Sequence, residues 1–225
     1  MNEVNNSVFE YNIKKGYRNE SHRPIVLIDC MGTIIRRNLS LMDIISKWAK
    51  KIGNEFDLHS RYLYNYRNSV VNGKMHNVVP ISLIYQEIAD QCIYYGVLNA
   101  DKKTLFLDRC HEVEIDLELA SQSFIPEAVS FLEEQKVNKC KIFCVSDFRL
   151  SSNDIEMFFK KQNIQDYFDG IFSSCDFGKT KKEGALYQAV LKKIDCSPSD
   201  CIMLGDNLKS DCINASKIGI ESYLI

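Results

Sequence analysis

Five short, largely apolar runs constrain the fold of this chain more than any other feature. They are Ile25 to Asp29, Lys141 to Val145, Gly170 to Ser173, Cys201 to Leu204 and Glu221 to Ile225. A strand with one wet face alternates polar and apolar residues, whereas an unbroken apolar run suits a strand covered on both faces, as in a parallel sheet. Amphipathic helical stretches separate the later runs: Pro126 to Gln135, Asn153 to Lys161, Gly184 to Ile194 and Leu208 to Ile218. Pro126 suits a first helical turn, and Ser151, Ser152 and Asn153 supply capping side chains. Strand alternating with helix predicts an α/β fold, a doubly wound, Rossmann-like parallel sheet.

One segment breaks the rhythm. From about Asn38 to about Phe124 no strand is expected, only helical periodicity, with Leu41, Ile44, Ile45 and Trp48 on one face and Ile84, Ile88 and Cys92 on another. The expected organisation is a flexible lead-in over 1–23, an α/β core over 24–37 and 125–225, and an inserted α-helical cap domain over 38–124. An insertion directly after the first strand sits above the carboxyl ends of the strands, where open α/β sheets bind ligands.

Composition narrows the partners. A formal net charge of -2 provides no basic footprint for nucleic acid. No apolar stretch is long enough to span a bilayer, and the polar N-terminus lacks the apolar core of a secretory signal. Nine cysteines, an odd number with no CxxC pair, and four scattered histidines lack both zinc spacing and a disulfide framework. Reduced thiols and a cytoplasmic location are the expectation. Neither the oligomeric state nor the substrate's identity is written in these residues.

The ends of the runs carry the chemistry. The first run ends in Asp29, followed by Met31, Gly32 and Thr33. Gly32 permits a tight turn, and successive N–H groups there can form an anion nest. The second run ends in Ser146 and Asp147. Lys181 precedes the helical stretch Gly184 to Ile194, with Lys179 and Lys182 beside it. The fourth run leads to Asp206, with Asp211 one helical turn beyond. In a parallel sheet all these groups fall at one edge. Clustered carboxylates repel one another, and a hard divalent cation with oxygen ligands relieves the repulsion. An aspartate can attack phosphorus to give an aspartyl-phosphate, while a lysine and a cation neutralise the transferred group.

In order, DCMGT, CVS, the lysine of KTKKEG and GDNLKSD resemble the four motifs of the haloacid dehalogenase-like (HAD) hydrolase superfamily, in the subfamily with an α-helical cap after the first motif. The resemblance covers about residues 24–225, and FIPEAVSFLEEQ is similar to the family's approach to its second motif. It implies Asp29 as nucleophile and metal ligand, with Lys181 in the catalytic pair. The Met31 carbonyl, Asp206 and Asp211 complete a Mg2+ site, and Ser146 and Lys181 hold the phosphoryl group. Asp147, Met31, Gly32 and Thr33 are further substrate-binding candidates, as are Arg61 and Lys74 of the cap. The implied partner is a small phosphorylated metabolite.

The chain departs from the family's phosphatases at one position. These carry a second aspartate two residues after the nucleophile, which protonates the leaving group and then activates water. Met31 can do neither, and such proton transfer contributes about 10²–10⁴-fold. Three readings follow: a phosphohydrolase, either with a leaving group that needs little protonation or with its acid supplied by the cap, a phosphonoacetaldehyde hydrolase-like C–P cleavage using Lys74, or a weak relative that binds a phosphorylated ligand or a protein. A 2-haloacid dehalogenase fits less well, because the metal-binding GD motif is intact.

Overall fold

The computed structural model describes residues 25–71 and 79–225. Lys74 and the expected lead-in over 1–23 lie outside these residues. The first strand, β1 (Ile25–Ile28), is followed by β2 (Ile35–Arg37) and four helices, α1 (Leu41–Phe56), α2 (Ser60–Val71), α3 (Ile81–Tyr94) and α4 (Lys103–Ser121). Strand β3 (Gln122–Phe124) leads into α5 (Pro126–Val137), β4 (Ile142–Ser146), α6 (Ser152–Lys161) and β5 (Gly170–Ser173). The chain ends with α7 (Ala185–Ile194), β6 (Cys201–Gly205), a π-helical turn (Leu208–Ile213) and β7 (Glu221–Leu224).

The five apolar runs form one sheet in the order β5-β4-β1-β6-β7, every neighbouring pair parallel. The fold is therefore the expected Rossmann-like α/β sheet. Its centre is dry: Val26, Leu27 and Ile28 of β1 have no exposure, and neither do Cys144, Val145, Met203 and Leu204. Strand β1 is bracketed by β4 and β6, with Ile28 opposite Cys144 on one side and Leu204 on the other. The carboxyl ends of these three strands thus finish side by side. One face is covered by Leu186, Tyr187, Val190 and Leu191 of α7. Burying side chains of this size stabilises the fold by about 1.5–3 kcal/mol each.

The helices begin where local chemistry satisfies their first N–H groups. Ser151 accepts from the backbone of Asp154 while the Asp154 carboxylate accepts from the Ser151 backbone, a reciprocal cap on α6. Ser40 and Asp43 do the same for α1, and α5 starts on Pro126.

The chain divides into two compact units: residues up to Arg36 together with Ser123–Ile225, and Arg37–Gln122. The second unit is helical, but its ends correct the expectation that 38–124 contains no strand, since β3 occupies 122–124 and pairs with β2. Three-residue strands such as IRR and QSF carry too little periodicity to be read. Within the helical unit Trp48 stacks on Tyr85 with ring centroids 5.3 Å apart, and the Trp48 indole donates to the Cys110 carbonyl at 3.1 Å. The fully buried Arg67 donates to Glu114 at 3.1 Å, and the Tyr85 hydroxyl donates to the same carboxylate. All nine cysteines are free thiols. Among the described residues no helix is long and apolar enough to cross a membrane.

Candidate active site

Asp29 leaves the end of β1 with 7% of its surface exposed, and its backbone N–H donates to the Leu204 carbonyl of β6 at 2.9 Å. The main chain of Asp29 is thereby fixed by the neighbouring strand. The next residues turn sharply. Gly32 takes φ +93° and donates its N–H to the Ile35 carbonyl at 2.7 Å, while Ile34 and Ile35 both donate to Cys30. This corrects one expectation: the Gly32 N–H closes the turn and is not free for an anion. Gly32 serves by lacking a side chain. A Cβ built on it would fall 2.1 Å from Oδ2 of Asp206, so only glycine lets that carboxyl approach the first loop.

Asp206 follows β6 directly. Its backbone N–H donates to the Thr33 hydroxyl at 3.1 Å, which makes buried Thr33 a support for the Asp206 loop. Asp211 lies in the π-helical turn and is 1% exposed. A turn of this kind is rare and concentrates at functional sites. Here Asn207 caps it by accepting from the N–H groups of Lys209 and Ser210. Gly205 grants Asp211 its place as Gly32 does for Asp206: a Cβ there would lie 2.2 Å from Asp211 Oδ2.

Lys181, 1% exposed, joins two of these carboxylates. Its ammonium donates to Asp29 Oδ1 at 2.5 Å and to Asp211 Oδ1 at 2.8 Å. Among the described residues Lys181, and not Lys179 or Lys182, is the lysine that reaches Asp29. Its backbone N–H donates to Asp147 Oδ1 at 2.8 Å. Burial opposes a charged lysine, but Asp29, Tyr187 and Asp211 prevail and hold Lys181 well above its ordinary range. Asp211 is held further: its Oδ2 accepts from the Asn207 N–H at 3.0 Å, and its Oδ1 accepts also from the Ser210 hydroxyl at 3.2 Å.

Three carboxylates and one ammonium leave the cluster two charges negative. Burial pushes the Asp29 carboxyl up to about 7, against the pull of Lys181 and with help from Asp211 and Asp206. Asp206 is also raised, chiefly by burial and then by Asp211. One oxygen from each of Asp29, Asp206 and Asp211 can lie within 4.8 Å of the others. Hard oxygen donors, close spacing and two uncompensated negative charges fit a divalent cation such as Mg2+.

Ser146, almost fully buried, ends β4 beside β1. Met31 is half-buried and bridges to Ile35. Arg61 is exposed on the first turn of α2 in the helical unit. Tyr187 is a further neighbour of the cluster. Its buried hydroxyl donates to the Ser210 carbonyl at 3.0 Å and lies 3.5 Å from Asp211 Oδ1. Its position on an apolar helix face gives no signal beyond packing.

The family model of haloacid dehalogenase-like hydrolases matches residues 24–219. The chain belongs to this family. Among solved structures it is similar to a 2-haloacid dehalogenase from Pseudomonas syringae pv. Tomato DC3000, at 15% identity and TM-score 0.69, covering 88% of this chain and 84% of that one. It is also similar to a HAD phosphatase from Thermococcus onnurineus, at 17% identity and TM-score 0.64, covering 90% and 86%. At these identities the likeness is one of fold. In sequence it is 24% identical over 106 residues to a ribulose-1,5-bisphosphate 5-phosphatase from Halopiger xanaduensis, covering 47% of this chain and 44% of that protein. The match thus spans less than half of that relative. The chain is a HAD-like hydrolase.

Proposed function

We propose that this hydrolase is a Mg2+-dependent phosphohydrolase that acts on a small phosphorylated metabolite through an aspartyl-phosphate on Asp29. One observation carries the reading: a single buried lysine bridges Asp29 and Asp211 while Asp206 is packed against the glycine of the first loop. Asp29, Asp206, Asp211 and the Met31 carbonyl would hold the cation. When bound, it would shield the carboxylates and draw charge from the phosphoryl oxygens.

The chain's own groups do the rest. Asp29, fixed by β6 through its main chain, aims a carboxylate oxygen at phosphorus. Lys181 neutralises charge on the transferred group and stays protonated throughout the working pH range. Ser146, at the adjacent strand end, donates its hydroxyl to a phosphoryl oxygen. Preorganised donors of this kind need no rearrangement as charge develops. The second helical unit would serve as a cap selecting the substrate, with Arg61 and Lys74 as contacts. The phosphatase among the sequence relatives agrees with this chemistry. Displacement of halide from an anionic haloacid calls for no cation, and three bare carboxylates would repel that substrate.

The test is a hydrolysis screen over phosphate esters, acyl phosphates and phosphonoacetaldehyde, with and without Mg2+, alongside Asp29→Asn and Met31→Asp. Expected are Mg2+-dependent phosphate release, its loss in Asp29→Asn, and a broader ester range in Met31→Asp. Turnover without the cation, or turnover untouched by Asp29→Asn, would overturn the proposal.

A further inference from the structure

Met31 leaves the proposed reaction without its usual proton carrier, so the edge of the sheet must be asked which other group can carry one. Lys181 is committed through its ammonium to Asp29 and Asp211. Tyr187 is tied to the Ser210 carbonyl and Asp211, and burial drives its hydroxyl far above the useful range. The Cys30 thiol is likewise raised well above its ordinary value by its contact with Cys144 and by burial. Asp206 and Asp211 belong to the proposed cation site.

Asp147 remains. It follows Ser146 at the end of β4, so the proposed phosphoryl donor and this carboxyl share one turn of chain. Its Oδ1 accepts from the Lys181 backbone N–H at 2.8 Å, while the ammonium at the other end of Lys181 holds Asp29. Asp147 and Asp29 therefore grip opposite ends of one lysine, with the length of that side chain between them. The second oxygen of Asp147 accepts no hydrogen bond from any described residue. The residue is half-buried. Burial raises its pKa from the ordinary value, with Lys181 opposing and Asp211 adding. Tyr187 is the other titratable group whose balance includes it.

We infer that Asp147 is the general acid and base of this enzyme, delivering its proton from Oδ2 to the departing alcohol. The inference rests on the phosphohydrolase reading. As the Asp29 oxygen bonds to phosphorus, the bond to the ester oxygen breaks and that oxygen takes the Asp147 proton, leaving the alcohol, an acyl phosphate and an Asp147 carboxylate. Water then attacks phosphorus, its proton returns to Asp147, and Asp29 departs as carboxylate with inorganic phosphate as product.

The test compares kcat/KM for a simple alkyl phosphate and for 4-nitrophenyl phosphate in Mg2+, because this parameter reports the steps up to departure of the alcohol. Asp147→Asn keeps an acceptor for the Lys181 N–H but has no proton to give. The expected result is a loss of about 10²–10⁴-fold on the alkyl ester, shrinking steeply as the leaving group becomes the more acidic nitrophenol. Asp147→Ala, which also frees the Lys181 backbone, lowers both substrates further. Equal losses of Asp147→Asn on the two substrates would overturn the acid role and leave Asp147 a support for Lys181. Wild-type turnover of neither ester would remove the phosphohydrolase reading and this inference together.

Discussion

The carboxyl of Asp206 occupies the space that a side chain on Gly32 would need, with Oδ2 lying 2.1 Å from the ideal Cβ position. Two loops 174 residues apart thus meet through the smallest residue, and φ +93° at Gly32 adds a second reason for glycine. Gly32→Ala is expected to displace Asp206 and weaken Mg2+ binding by about 10–100-fold, as loss of a supporting group does. Titration calorimetry with Mg2+ reads the change directly. Affinity equal to wild type would show that Asp206 contributes no ligand.

The Asp29 carboxyl is raised to about 7 from an ordinary 3.8. Between those values the metal-free native state keeps a proton that the unfolded chain releases, so stability falls as pH rises through this window. Asp29→Asn removes the titration. Relative to wild type, the metal-free variant is therefore expected to gain in Tm between pH 5 and pH 8. A Tm difference flat across that range would refute the shift. Mg2+ should raise the Tm of wild type more than that of the variant.

Removing the ammonium at the centre of the site leaves its carboxylates uncompensated. Lys181→Met is expected to lower kcat by about 10²–10³-fold, the usual effect of losing one preorganised electrostatic group. Extra Mg2+ should not restore the rate, because the cation would not replace the ammonium between Asp29 and Asp211. Recovery at high Mg2+ would mean that Lys181 only balances charge.

Arg67 and Glu114 form a buried pair in the helical unit, and among the described residues Arg67 Nε and Nη1 have no hydrogen-bond partner. Arg67→Met should destabilise the protein by about 3–5 kcal/mol, because it takes the guanidinium away from a buried carboxylate. The double replacement Arg67→Met, Glu114→Leu should recover much of that loss. Denaturant midpoints measured on all three proteins decide it, and additive losses would count against coupling.

The sheet was legible because its strands are apolar on both faces, a pattern that survives in a bare sequence. Their ends were read to within a residue, which suffices to bring Asp29, Ser146 and Asp206 to one edge. What could not be read is carried by long-range contact. The resemblance favours Lys181 over Lys179 and Lys182, but what decides between them is which ammonium reaches Asp29, 152 residues away. That the Gly32 N–H closes its own turn is not visible in residue type, because a turn's internal hydrogen bonds exist only once it folds. Thr33, a candidate ligand contact, has a second part that its motif does not show, since its hydroxyl receives the Asp206 N–H. The π-helical turn around Asp211 looked like ordinary helix, since one extra residue per turn hardly alters an apolar pattern over six positions.

The short strands β2 and β3 have a consequence of another kind. Asn38 donates to the Ser121 carbonyl at 2.7 Å, so the helical unit starts and stops at a single doorway. A module with coincident ends can be lengthened, exchanged or looped out without asking the parallel sheet to change its register. Residues 41–121 can therefore change while the carboxylates and lysine of the other unit stay as they are.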